Sequence, residues 1–495
     1  MSHELYACLC ARDFPLQSLV RLRPELRGHS VAVLDGHPPL ETVCSINRAA
    51  RLKGAALGMT RVEAEAIQGL RLLSRSPEGE KVAREVFLEC AANFSPRIEE
   101  TSGETHCACV LDIAGTERLF GPSAALALRI REALADAGFR ASVAVSANFH
   151  AALLQAGVSG SVSVIAAGHE AAAMANLPLA ALKLPEKEAE TLAIWGIRSL
   201  GELAALPEVE LIARLGQDGK RWRDIASGTL SHQFQPAEPQ FSLREFCELE
   251  SAVGQVDSLL FVAARMIDNL VTRAAGHALS LASLSIVLRM EDGKSHQLTL
   301  RPALPSTDRK FLLKLLQLEL AAHPPQAAIV ALTIAAEAGH ASTVQLGLFL
   351  PQLPEPSRLD VTLARLKALV GEDRVGSPVL EDTHEADAFH METFMLSTPG
   401  GASADRRPRM ALRRLRPPHP VRVLCSNQKP VSFHDGHQSY AIAVAYGPWR
   451  TSGCWWAAGD WERDEWDVLI AQEQRAHLLV NDRRHNRWQL EAVYD

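Results

Sequence analysis

Four cysteines are the first residues whose type and spacing suggest chemistry. Cys8 and Cys10 stand two apart in one apolar run, and Cys107 and Cys109 two apart in another, so each pair lies on one face of its strand. If those strands are neighbours, four thiols could meet, a donor set that suits zinc or an iron–sulfur cluster. Against this, Cys-x-Cys within single strands is not the usual knuckle geometry, and buried thiols behave as small hydrophobes. No metal is assigned to them. A second stretch, Gln345-Leu346-Gly347-Leu348-Phe349, is built like a docking peptide. Its amide suits a pocket rim, and Leu346, Leu348 and Phe349 can fill the pocket. It could also be the last strand of a domain core, but Pro351 and Pro354 close it where a strand should already have stopped. Third, Trp195 to Ala204, followed by Leu206-Pro207, has the form of a helix-hairpin-helix. Its Gly-Ile turn would expose backbone N–H groups to a DNA phosphate, with Gly196, Ile197, Arg198 and Gly201 as the contacts. The competing reading is a plain αα-hairpin with Ile197, Leu200 and Leu203 as core.

The elements that position these residues follow from patterning. A length of 495 residues implies more than one domain, and 47% hydrophobic with 22% charged residues is ordinary folded protein. A net charge of −7 argues against a strongly basic, stand-alone nucleic-acid binder but leaves room for a local basic groove. Nine cysteines without a basic n-region at Met1-Ser2-His3-Glu4 suggest reduced thiols in a cytoplasm, and no apolar run reaches membrane-spanning length. Strands at Leu5–Cys10, Ser30–Leu34, Arg97–Glu100, Thr105–Ile113 and Ala141–Ser146 alternate with helices, which indicates an α+β or α/β unit. From about Met174 the chain reads as helical. Residues 242 to 336 give strand, helix, strand, strand, helix, strand, the split-βαβ order, with one sheet face open that could ride a DNA groove.

Beyond Pro354, Leu359–Val370 has helical spacing and suits a partner helix. Residues 398 to 420 read as a basic Pro/Arg linker, from Pro399-Gly400-Gly401 to Arg413-Arg414-Leu415-Arg416-Pro417-Pro418. The last fifty residues hold six of the eight tryptophans, Trp449, Trp455, Trp456, Trp461, Trp466 and Trp488, which marks a separate β-rich module. About half of them are expected in its core. Residues 371 to 397 carry no readable pattern.

The order of parts from about residue 4 to 350 resembles a Y-family translesion DNA polymerase. The resemblance rests on Leu26-Arg27-Gly28-His29-Ser30-Val31-Ala32-Val33, Asn47-Arg48-Ala49-Ala50-Arg51, Gly58-Met59 with Glu63-Ala64, Leu111-Asp112-Ile113 and Ser142 to Asn148. It implies an α+β multidomain chain: a palm at 1–170 with a fingers insertion at about 36–75, and a helix-hairpin-helix thumb at 171–235. A βαββαβ little finger at 240–340 and a clamp-binding peptide at 341–354 follow. A partner helix and basic linker at 355–420 and the Trp-rich module at 421–495 complete the chain.

Family members hold two Mg²⁺ ions on Asp-x-Asp of the first strand and Asp-Glu of a later hairpin. Counting back from the anchors, those positions fall on Cys10 and Arg12, and on Cys107 and Ala108. Of the nucleotide contacts, Arg51 and Asn148 are kept, while a tyrosine and a lysine are missing. The resemblance therefore implies a retired catalytic centre without a cofactor. Within the family the chain is most similar to the non-catalytic members of bacterial mutasomes, which act in damage-induced translesion synthesis and mutagenesis. These are implied to tie a sliding clamp and primer–template DNA to an error-prone C-family polymerase and a RecA-like accessory protein. The alternative is an active, Mg²⁺-dependent translesion polymerase whose acids are displaced to Asp13, Glu104 and Asp112.

Overall fold

A computed structural model describes residues 4–237, 241–340 apart from 303, most of 359–392, and 411–494 apart from 454–460 and 472–474. The docking peptide Gln345–Phe349 lies outside the described residues, as do Trp455 and Trp456. The chain divides into two compact units, Met1–Ala364 and Arg365–Asp495. No helix among the described residues is long and apolar enough to cross a membrane.

The first unit begins with β1 (Tyr6–Arg12), α1 (Phe14–Arg21), β2 (Ser30–Asp35), β3 (Thr42–Ile46), α2 (Arg48–Leu52), α3 (Arg61–Glu65), β4 (Leu70–Ser74) and α4 (Pro77–Ala92). It continues through β5 (Ile98–Glu100), β6 (His106–Asp112), α5 (Glu117–Phe120), α6 (Ser123–Asp136), β7 (Ser142–Ser146), α7 (Phe149–Val158) and β8 (Val162–Val164). The main sheet runs β5-β6-β1-β7-β8. Its central strand β1 is covered on both faces, which is why it reads as an uninterrupted apolar run rather than an alternating one. Leu9 and Ala11 pack with α4 and α6, while Cys8 and Cys10 pack with α7. A smaller sheet, β3-β2-β4, closes on α2 and α3. Asn47 starts α2 by accepting from the Ala50 N–H and ties the turn to the His29 carbonyl.

A helical segment follows: α8 (Glu170–Met174), α9 (Glu186–Ile194), α10 (Leu200–Ala204) and α11 (Glu208–Ala226). They share a core of Met174, Leu192, Leu200, Leu203 and Leu211. Then come β9 (Arg244–Val253), α12 (Val256–Gly276), β10 (Ser280–Met290), β11 (Ser295–Leu300), α13 (Arg309–Ala322) and β12 (Ile329–Gly339), in a sheet ordered β11-β10-β12-β9. Period-two burial along β10 turns Leu284, Ile286 and Leu288 toward the helices and Ser285 and Arg289 away from them.

The sheet face expected to be open is partly covered. Phe246 of β9 and Ala331 of β12 pack on Val82 of α4. Beside them a buried ionic network links segments more than 200 residues apart. Arg21 of α1 pairs with Glu245 of β9, with side chains only 2% and 0% exposed. Arg273 of α12 pairs with Glu89 of α4 and reaches Glu245 at 3.4 Å. At the exposed margin of this network Arg23 meets Glu250, itself half-exposed, at 3.2 Å.

In the second unit, β13 (Ser377–Leu380) and β14 (Phe389–Glu392) form a hairpin where no pattern had been readable. Arg365, Leu366, Lys367 and Val370 are helical, as are Leu359, Thr362 and Leu363 at the end of the first unit. The remaining strands, β15 (Leu412–Ser426), β16 (Lys429–His434), β17 (Ser439–Gly453), β18 (Trp461–Ile470), β19 (Ala476–Asp482) and β20 (Arg487–Tyr494), close into a barrel in that order. The linker expected to run to residue 420 therefore ends by Leu412, which pairs with Tyr494. Pro417 and Pro418 are accommodated because the β15–β20 ladder shifts register between Arg414 and His419, where no proline N–H is needed. Trp466 is buried in the barrel core at 3% exposure, Trp461 and Trp488 are half-buried, and Trp449 is exposed.

Candidate functional site

The positions counted as vestigial metal ligands come together at the C-terminal end of β1. In the β1–β6 pair Cys10 stands opposite Ala108 and Arg12 opposite His106. Cys10, Arg12 and Ala108 line a cleft of about 1090 Å³, but Cys107 does not. One residue along a strand reverses the face, so Cys107 points into the core behind the sheet, where burial pushes its thiol up to about 12.

The same register separates the cysteine pairs. Cys8 opposes Val110 and Leu9 opposes Cys109, so Cys8 and Cys10 lie on one face of the sheet and Cys107 and Cys109 on the other. The strands are neighbours, yet the four thiols do not meet. This overturns the zinc or iron–sulfur reading.

The cleft is cationic. Arg12, Arg48, Arg51, Arg140 and Lys183 line it, and Asp13 is the single carboxylate among its lining residues. Arg51 lies 3.9 Å from Asp13. Burial raises the Asp13 carboxyl above its ordinary value, opposed by Arg51 and Arg12. Burial also raises the Cys10 thiol, opposed by Arg12 and Lys183. Arg12 donates to the Val158 carbonyl at 3.2 Å, which holds its guanidinium across the cleft end. Lys183 reaches the His106 ring at 3.1 Å, and burial followed by the Lys183 charge lowers His106, so the imidazole is the acceptor.

The displaced acids do not converge. Asp13 lines the cleft, whereas Glu104 is exposed and is not among the lining residues. Asp112 pairs with Tyr6 at the far end of β1, roughly 20 Å along the strand from Arg12. There it binds Arg97 at 2.6 Å and caps the Ala114 N–H.

The remaining candidate residues take local structural positions. Asn148 is absent from the cleft lining: it caps α7 by accepting from the Ala151 N–H and donates to the carbonyls of Gly228 and Leu230. At the hairpin, Gly196 ends α9 with a φ of +82°. The N–H groups of Gly196 and Ile197 donate to Ala193 and Leu192. Those of Arg198 and Ser199 donate to Glu202 Oε2, and those of Leu200 and Gly201 to Leu177 and Ala175. Every amide expected to be open at this turn is engaged within the chain. What Arg198 presents to solvent is its side chain. Ser199-x-x-Glu202 is a capping box, a spacing that could have signalled this. Arg140, two residues before the Ser142 anchor, and Lys183 had no such signal.

Residues 11–156 match the impB/mucB/samB family. Over 401 residues the chain is 27% identical to Protein ImuB of Caulobacter vibrioides, in strains NA1000 / CB15N and ATCC 19089 / CIP 103742 / CB 15, covering 77% of this chain and 84% of the relative. Over most of its length the chain is thus similar to Protein ImuB, and residues 11–156 are similar to the impB/mucB/samB family. Among solved structures, DinB from Sulfolobus solfataricus is 16% identical with a TM-score of 0.40, covering 67% of this chain and 98% of that one. An insertion ternary complex of Dbh DNA polymerase, also 16% identical, has a TM-score of 0.41 over 67% of this chain and 98% of that one. Likeness this loose carries no residue-level argument. In this chain's own cleft, cations outnumber carboxylates.

Proposed function

We propose that the chain is a non-catalytic, Y-family-like adaptor in damage-induced translesion synthesis and mutagenesis. The observation that carries this reading is the cleft floor: Cys10, Arg12 and Ala108 occupy it, and Asp13 is the one carboxylate among its lining residues. Two-metal nucleotidyl transfer needs several carboxylates to hold its ions and stabilise the leaving pyrophosphate. A guanidinium at Arg12 repels what a metal ligand would attract. The residues present do not fit a Mg²⁺ pair. The active-polymerase alternative is less favoured because Asp112 stands at the far end of β1 from Asp13 and Glu104 is not among the cleft's lining residues.

In this reading residues 1–170 act as palm and fingers, 171–235 as thumb and 240–340 as little finger, holding primer–template DNA through its backbone. Arg198 then contributes by its side chain. Gln345, Leu346, Leu348 and Phe349 dock in a sliding clamp, and the C-terminal unit recruits an error-prone C-family polymerase and a RecA-like accessory protein. One tether makes the next contact intramolecular, so weak contacts combine.

The test is titration calorimetry of the chain against a bacterial sliding clamp, with Gln345→Ala/Leu348→Ala/Phe349→Ala as control, alongside primer extension with Mg²⁺ or Mn²⁺. Micromolar binding that the variant loses, without extension, is expected. Metal-dependent extension abolished by Asp112→Ala would overturn the non-catalytic reading, and undiminished binding by the variant would move the clamp contact elsewhere.

A further inference from the structure

A second cleft, of about 580 Å³, lies between α4 and the edge of β12. Its walls are apolar: Leu88 of α4, Phe241, Leu243, and Ala335, Ala336 and Ala338 of β12. It is there because β9 stops short. Arg244, the first residue of β9, pairs with Ala335, and the Leu243 carbonyl accepts from the Ala336 N–H. Beyond that point no described strand continues along this edge of β12, so alanine side chains and an open strand edge form the floor. Phe241 is exposed, yet its ring is held edge-on by His277 at 4.5 Å between centroids. The charged groups of the lining are engaged already. Glu85 accepts from the Ser242 hydroxyl at 2.9 Å, and Arg244 pairs with Glu78 at 2.8 Å. An apolar slot with a fixed wall, whose described charged groups all have partners, suits an uncharged, apolar, extended guest.

The chain supplies such a guest beside the slot. Residues 341–354 follow β12 and carry no charged side chain. Five residues, His340 to Val344, separate the end of β12 from Gln345, the length of a hairpin loop that turns a chain back along its own strand. We propose that the slot is an intramolecular dock for Gln345–Phe349. On an added strand Leu346 and Leu348 share one face, Gly347 permits close approach to the alanine floor, and Phe349 follows toward Phe241 and Leu88. The proposal rests on reading this peptide as the clamp ligand and adds its regulation: slot and clamp compete for the same apolar side chains. A short tether presents the peptide to the slot at an effective concentration of roughly 1 mM, so a slot affinity of about 100 µM weakens clamp binding on the order of tenfold.

The experiment has two arms. In the first, the full chain carrying Gln345→Ala/Leu348→Ala/Phe349→Ala, which empties the slot, is titrated against a fluorescent synthetic peptide of residues 341–354. Anisotropy should report a dissociation constant on the order of 100 µM. Adding Ala338→Trp, which fills the slot, should abolish this binding, and adding Phe241→Ala, which removes a wall, should weaken it on the order of tenfold, with melting temperatures unchanged. In the second arm, Ala338→Trp in the otherwise natural chain should tighten binding to a bacterial sliding clamp on the order of tenfold, toward the affinity of the free peptide. No peptide binding by the folded triple variant, or equal binding with and without the slot substitutions, overturns the proposal. Clamp binding that Ala338→Trp leaves unchanged also overturns it, and the clamp reading stands. Peptide binding in the first arm with no clamp binding by any form upholds the dock and overturns the clamp reading.

Discussion

Cys10 and Ala108 face each other across the β1–β6 pair, both buried, on the floor of a cleft whose walls are cationic. Directly opposed residues of an antiparallel pair have Cβ atoms roughly 5 Å apart. A carboxylate at each position would bracket a single divalent ion. We expect Cys10→Asp/Ala108→Glu to cost about 1–3 kcal/mol without metal, because two acids are buried unpaired. Mn²⁺ should recover part of that loss and bind with a dissociation constant on the order of 1 mM. Thermal melting with and without Mn²⁺ checks this, the unaltered chain being the control. Identical melting of the variant in both conditions would show that the floor geometry does not suit a metal.

Glu245 accepts from two arginines that arrive from different parts of the chain, Arg21 from α1 and Arg273 from α12. Removing its carboxylate leaves the Arg21 guanidinium buried and uncompensated. Glu245→Ala should destabilise the first unit by about 3–5 kcal/mol. The double change Arg21→Met/Glu245→Leu should recover most of that loss, because a well-packed apolar pair avoids the desolvation cost. Urea denaturation followed by tryptophan fluorescence distinguishes the two, and a double variant no more stable than Glu245→Ala would contradict the argument.

The hairpin at 195–201 is rigid for two separate reasons, and each can be removed alone. Ser199→Ala deletes the hydroxyl that accepts from the Glu202 N–H and should cost about 1 kcal/mol. Gly201→Ala places a Cβ 2.9 Å from the Ala175 carbonyl oxygen, a backbone atom that cannot step aside, and should cost about 1–3 kcal/mol. Hydrogen exchange at Arg198 and Leu200 should speed up in both variants. DNA affinity is expected to follow Arg198→Ala rather than Ser199→Ala, since the side chain and not the amide is free at this turn.

Much of the fold was legible where one signal dominated. The apolar run of β1 and the alternation along β10 pointed to strands because burial on two faces or on one leaves that period. The opposite assignments of Cys10 and Cys107 were not legible. Spacing shows that Cys107 and Cys109 share a face, but only the pairing register decides which face of the sheet it is. Leu412 to Pro420 read as a tether because its composition is basic and proline-rich, yet barrel closure supplies it with a partner strand 69 to 82 residues away. The cleft's charge was hidden for the same reason. Arg12, Arg51, Arg140 and Lys183 come from distant segments, and no local pattern links them.

His150 should make the first unit sensitive to acid. Its ring lies against Phe149 and His232, and burial, then the charges of His232 and Arg221, lower its pKa to about 4, with Glu99 opposing. His232 itself binds Glu99 at 2.8 Å. The unfolded chain gains a proton on this ring near the ordinary value of about 6.5. The folded chain does so only near pH 4. Between these values the unfolded state binds more protons, so stability is fully present above pH 6.5 and falls as the pH drops toward 4, with no further loss from this group below that. His150→Phe removes the titrating ring and should flatten that part of the profile while keeping the aromatic contact. Urea midpoints at pH 7, 5.5 and 4 for the two proteins, with the ring followed by NMR, provide the check. A ring that titrates at its ordinary value, or equal slopes for the two proteins, would mean that the packing around Phe149 and His232 admits the charged imidazole.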